Sequence, residues 1–153
     1  MNCEYRMYCL AERHLSPIQK AIQSAHAIVE YEQAHGDTEA YKQWAKFNKT
    51  IVILDGGNTI DLNSAIVSLD MARIPYAIFE EPDMDYFETA ICFLANDQVF
   101  DYEQYGRSYE HYLLLCDKNT ELPKLPYEEW VRFVGGNDNV ILKSIISDKK
   151  LAV

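Results

Sequence analysis

The tetrapeptide Ser16-Pro17-Ile18-Gln19 narrows what this chain can fold into more than any other stretch. Serine supplies a hydroxyl that accepts from the third helical N–H, proline suits the first helical position, and glutamine three residues after the serine closes a capping box. A helix therefore starts at Pro17. Directly before it, Tyr5-Arg-Met-Tyr-Cys-Leu-Ala is short, aromatic and apolar, and reads as a central strand ending near Glu12. Along the helix, Ile18, Ala21, Ile22, Ala25, Ile28 and Val29 recur at steps of three and four as far as about Tyr31. That spacing predicts one apolar stripe packed on a sheet.

The same alternation continues. Tyr41, Trp44 and Ala45 share one side of a shorter segment capped by Asp37 or Thr38, predicting a second helix. Thr50-Ile-Val-Ile-Leu is a β-branched run closed by Asp55-Gly56-Gly57-Asn58, a strand entering a turn. Leu62, Ala65, Ile66 and Leu69 keep helical spacing until Ile74-Pro75, where proline stops the helix. Tyr76 to Phe79 predicts a third strand, an acidic loop follows, and Thr89 to Ala95 predicts a fourth. The order β-α-α-β-α-β-β predicts an α/β fold: a four-stranded mixed sheet flanked by helices.

Residues 98–153 read as a helical extension packed on the core formed by residues 1–97, since no polar linker separates them. Tyr102, Tyr105, Tyr109 and Tyr112 follow at steps of three, four and three, as on one helix face. Beyond Pro123 and Pro126, residues 128–134 predict a short helix stopped by Gly135-Gly136, and residues 140–146 a last one whose C-terminus Lys149-Lys150 would suit.

Composition bounds the function. With 153 residues and 48% of them hydrophobic, the chain can bury roughly 70% of its unfolded surface, so neither disulfides nor a metal is required for stability. The 14 Lys and Arg against 24 Asp and Glu leave a formal charge of −10, which repels phosphate backbones over much of the surface. The start lacks a secretory signal pattern, and no apolar run is long enough to span a bilayer, so a cytoplasmic protein with no membrane partner is expected. Cys3, Cys9, Cys92 and Cys116 form no CxxC pair and read as reduced packing residues.

Chemistry-bearing residues gather in three places. On the first helix Gln19, Gln23, His26 and Glu30 make a polar side, with Gln19 completing the capping box, Lys20 and Glu30 solvated, and His26 a hydrogen-bonded packing residue. His26 has no second His or Cys at ligand spacing, so no metal and no cofactor is expected there. Glu80, Glu81, Asp83, Asp85 and Glu88 crowd the acidic loop after a strand, a place that suits a solvated loop, a divalent cation, or acid–base and partner contacts. Gly56-Gly57-Asn58 opens a helix but lacks the Lys-Ser/Thr of a phosphate loop.

Gln23-Ser-Ala-His26-Ala27 on the helix after a short strand, then Ile53, the third helix, Ile74-Pro75-Tyr76-Ala77-Ile78 and Thr89 opening the last strand together resemble type 2 peptidyl-tRNA hydrolases over roughly residues 4–97, with small phage-encoded relatives similar in kind. The resemblance implies a four-stranded mixed sheet, a dimer, and cleavage of the ester joining peptide to tRNA. It would make Lys20, Gln23 and Glu80 catalytic, with Gln19, His26, Asp83 and Thr89 in the binding site. The sequence departs from the family pattern at two points. The helix lysine's place falls on Gln19, and Lys20 is turned from it by about 100°. The Asp-Ala-Gly-Arg/Lys-Thr loop is replaced by Glu80-Glu81-Pro82-Asp83-Met84, which trades a basic residue for carboxylates. Those departures favour a repurposed, non-catalytic protein that holds a protein or small-molecule ligand. The alternative is an active hydrolase acting on peptidyl-tRNA or a related acylated nucleotide, the one case in which tRNA is the partner.

Overall fold

In a computed structural model describing residues 3–152, the chain forms two compact units, one comprising residues up to Leu94 with those from Lys149 onward, the other Ala95–Asp148. The first unit runs β1 (Tyr5–Ala11), α1 (Pro17–His35), α2 (Glu39–Gln43) continuing into a π-helical turn at Trp44–Asn48, β2 (Ile51–Asp55), α3 (Thr59–Ala72), β3 (Ala77–Glu81), a 3₁₀ turn at Pro82–Met84, and β4 (Phe87–Asn96). Strand order is β2-β1-β4-β3, with β1 parallel to β2 and β3 antiparallel to β4. The Glu12 N–H donates to the Thr89 carbonyl at 2.9 Å and Tyr8 lies beside Phe93, contacts that run β4 antiparallel to β1. The predicted four-stranded mixed sheet flanked by helices is present.

The capping box forms as its residues dictate. Ser16 Oγ accepts from the Gln19 N–H, Gln19 Oε1 accepts from the Ser16 N–H, and Pro17 opens the helix. The face of α1 that meets the sheet is not the expected one. Lys20, Gln23, Ser24, Ala27 and Tyr31 are buried, while Ile18 is 72% exposed, Ile22 48% and Val29 52%. The spacing predicts the Ile18–Val29 stripe on the sheet, and the structure turns most of that stripe outward. The sheet's own face decides it, because Met7, Cys9, Ala77, Ala90, Cys92 and Leu94 pack around Ala27, Tyr31 and Trp44. Small Ala27 permits close approach, and Cys92 Sγ lies 3.2 Å from the Ala27 carbonyl. Lys20, expected to be solvated, is 7% exposed.

On the opposite face Tyr8, Leu10, Ile91 and Phe93 are buried, and α3 turns Leu62, Ala65 and Leu69 inward. Asn58 and Asp61 cap α3 reciprocally, and Arg73 ends it in the left-handed region before Pro75. Gly56 is required by crowding. A β-carbon there would stand 2.7 Å from Leu62 Cδ2 and 3.0 Å from the Ala11 carbonyl. The third strand extends beyond the predicted Phe79 and takes in Glu80 and Glu81, which are strand residues and not part of the acidic loop. Residues 150–152 return to the outer edge of β2: Asp55 N–H donates to Lys150 O, Ala152 N–H donates to Ile53 O, and Leu151 bridges Leu54.

The second unit contains α4 (Asp97–Phe100), α5 (Tyr102–Tyr105), α6 (Tyr109–Lys118), α7 (Tyr127–Phe133) and α8 (Asn137–Ile146). Its tyrosines do not share one helix. Gly106, at φ +82, breaks the run, with Ser108 capping α6 by accepting from the His111 N–H. Tyr112, Cys116, Trp130 and Val134 form its core. Lys143 is 1% exposed and donates to the carbonyls of Val99 at 2.8 Å and Gly106 at 2.7 Å. Burial pulls its pKa down to about 8, opposed by the nearby Asp101 charge. Helix α8 stops at Ile146, so Lys149 and Lys150 do not serve as its C-terminal charges.

All four cysteines are free; Cys9, Cys92 and Cys116 are buried and Cys3 is half-buried. Desolvation pushes the Cys9 thiol up to about 12, and burial likewise raises Cys92. At pH 8 a thiol reagent is expected to label Cys3 rapidly and to reach Cys9 and Cys92 only in denaturant, which a timed mass-spectrometric count measures. The reversal of the α1 face gives a second expectation. Ile22→Glu changes stability by no more than about 0.5 kcal/mol, whereas Ala27→Glu costs more than about 3 kcal/mol in a denaturant titration.

Candidate functional site

The ends of β1, β2 and β3 and the start of β4 meet at one edge of the sheet, where α1 begins. Backbone hydrogen bonds stitch that edge together. Glu12 N–H donates to Thr89 O at 2.9 Å, Arg13 N–H to Gly57 O at 2.8 Å, and Gly56 N–H to Ala11 O at 2.8 Å. The residue after β1 is a buried carboxylate: Glu12 Oε2 accepts from the His14 N–H and Oε1 lies 2.7 Å from His14 Nδ1. Arg13 Nε stands 3.5 Å from Asp55 Oδ2.

The pairing of β3 with β4 slips beside Thr89. Phe79 faces Ala90 but Glu80 faces Glu88, so Thr89 is an extra residue, a β-bulge. In regular alternation Thr89 and Ala90 would point to opposite faces. Here Ala90 packs in the core beneath α1, and the Thr89 hydroxyl also turns to α1, 3.1 Å from Gln23 Oε1 and 3.3 Å from the Phe79 carbonyl. The other end of the same amide, Gln23 Nε2, donates to Glu81 Oε2 at 2.8 Å. Gln23 is thus held at both ends, with Thr89 wholly buried behind it and Lys20 one helical turn before it.

Of the seven residues singled out in the sequence, the structure brings Gln23 and Thr89 into contact and places Lys20 on the same buried face of α1. The carboxylate that joins them is Glu81, not Glu80. Strand parity is the reason: Ala77, Phe79 and Glu81 face α1, and Glu80, which is exposed, lies on the other side. His26 makes no hydrogen bond among the described residues; exposed, it stacks on Phe79 with ring centroids 4.5 Å apart. Gln19 is spent on the capping box. Asp83 sits exposed on the 3₁₀ turn, its N–H 3.4 Å from Glu81 Oε1. Sequence reasoning missed Glu81 and Glu12, although alternation counted from Ala77 was enough to find the first.

At the helix start after β2, Gly57 N–H donates to Asp55 Oδ1, and Asp61 occupies the Asn58 N–H. The chain's own carboxylates therefore take the donors that an anion would need. Among the described residues no group of three His, Cys, Asp or Glu side chains could hold a metal ion. No described helix is long and apolar enough to cross a membrane. No protein-family model matches this chain, and no curated protein matches it.

The buried Thr89 hydroxyl has its one proton within reach of Gln23 Oε1, the nearer, and the Phe79 carbonyl, so Thr89→Val is expected to cost about 1–3 kcal/mol by leaving Gln23 Oε1 without its donor. A double-mutant cycle of Gln23→Ala and Glu81→Ala, read by denaturant unfolding, is expected to show a coupling of at least about 0.5 kcal/mol.

Proposed function

We propose that the first unit is a type 2 peptidyl-tRNA hydrolase-like scaffold used to hold a partner rather than to cleave an ester. The observation that carries this reading is the closed Thr89–Gln23–Glu81 relay. Its amide is engaged at both ends and its carboxylate already accepts from Gln23. The relay ties the Glu81 carboxylate, the Gln23 amide and the Thr89 hydroxyl to one another across a helix and two strands, an arrangement that fixes structure. The turn beside the site is also wrong for tRNA, because Asp83 and Asp85 are exposed there and would repel phosphates. Asp83 and Asp85 share the β3–β4 turn with exposed Met84 and Tyr86, and exposed Phe87 opens β4. An acidic rim around apolar anchors suits a basic protein surface.

A second reading keeps the hydrolase. Lys20, Gln23, Glu81 and Thr89 lie at one edge of the sheet, and Glu81, in place of Glu80, would be the water-orienting group. Incubation with N-blocked aminoacyl-tRNA decides between the two. No acceleration over buffer is expected; cleavage that is lost in both Lys20→Ala and Glu81→Gln would establish the hydrolase instead.

A further inference from the structure

The second unit holds a cavity of about 500 Å³, within the size range of small-molecule sites. Its lining combines two chemistries. Arg107 and Lys143, both beside the Tyr102 ring, supply charge, and Tyr109, Tyr127 and Trp130 pack together as a wall of rings, with Glu110 the one carboxylate among the described lining residues. Two cations against one anion is the reverse of the chain's overall balance of −10.

The cations are held in place. The Arg107 guanidinium lies over the Tyr102 ring at 4.8 Å and Nη1 donates to the Ser147 carbonyl at 3.3 Å. A guanidinium has five N–H donors, so a single carbonyl leaves the fork with capacity for a bidentate anion. Lys143, almost fully buried, spends two of its three protons on backbone carbonyls.

The wall offers rings and little else. Tyr109 donates its hydroxyl to the Leu125 carbonyl at 2.8 Å, and Trp130 donates its indole N–H to the Tyr105 carbonyl at 2.9 Å, so their polar tips are turned to the protein. Tyr127 stands edge-on to Tyr109 at 5.3 Å, lies 6.0 Å from Trp130, and is 51% exposed. A half-open ring backed by two others is a stacking platform for a flat, unsaturated group.

From the exposed guanidinium and the stacking wall we infer that this cavity binds a small planar-ring phosphate, its ring against Tyr127 and its phosphate on Arg107, with the charge of buried Lys143 behind it. Two cations suit a phosphate dianion better than a single carboxylate, and the bound ring excludes water from the charge pairs. The site is independent of the reading given for the first unit, since it uses none of its residues.

Adenosine monophosphate, phenyl phosphate, adenosine and inorganic phosphate are titrated separately into the full chain while amide and indole N–H shifts are recorded. Adenosine monophosphate is expected to move the signals of residues 107–110 and the Trp130 indole, and to bind at least tenfold more tightly than adenosine or inorganic phosphate. Phenyl phosphate matching it would mean that any ring phosphate is accepted, and much weaker phenyl phosphate that a nucleotide is required; both support the assignment. Arg107→Ala and Tyr127→Ala alter exposed side chains, and unchanged spectra elsewhere show that the variants fold. Each is expected to weaken binding about tenfold. The inference is overturned if neither ring phosphate shifts these signals at millimolar concentration, if inorganic phosphate alone binds as tightly, or if both variants bind as the parent does.

Discussion

The slip between β3 and β4 at Thr89 is the constraint on which the edge of the first unit depends. One extra residue places two consecutive side chains, Thr89 and Ala90, on the α1 side of the sheet. The hydroxyl then meets the Gln23 amide, the amide meets Glu81, and the Thr89 carbonyl is left to accept from the residue that follows β1. A central strand, an edge strand and a helix are thereby tied at a single point. Buried polar groups are costly when unpaired and specify geometry when every one is matched, which is why a short relay can fix where α1 sits on the sheet.

Much of the first unit was legible because local chemistry and global packing agree. Ser16, Pro17 and Gln19 mark the start of α1 through interactions that need no tertiary context, and the β-branched residues of β2 read as a strand for the same reason. What was hidden is relational. The α1 periodicity identifies two candidate faces, but the choice between them depends on the small and sulfur-bearing residues that β1, β3 and β4 present, and these are distant in sequence. Glu80 is the residue that the resemblance implies, because it stands where the family loop has its Asp. With β3 extended by two residues, alternation selects Glu81. The bulge itself carries no glycine or other local mark.

The second unit shows the opposite balance. Its glycine stops and proline breaks were readable, yet the tyrosine spacing misled, because a period of three to four persists across Gly106 although the helix does not. The rings do different jobs on either side of that break. Tyr112 is buried in the core, while Tyr102 lies beneath Arg107. Aromatic residues at helical spacing thus supply both a core and a surface, and only their hydrogen-bond partners separate the two.

The short return of residues 150–152 along β2 has a consequence for how the chain is made. β2 is an outer strand, and among the described residues its free side is paired by that antiparallel bridge, contributed from some ninety-five residues later in sequence. The other strands, and β1 with β2, can pair once β4 is made, but the outer side of β2 keeps a bare row of N–H and C=O groups until residues 150–152 join it. In that interval the nascent sheet is most open to pairing with a neighbour on the same messenger. Synthesis halted within the second unit would therefore leave a largely built sheet with a sticky edge, and residues 150–152 act as its seal.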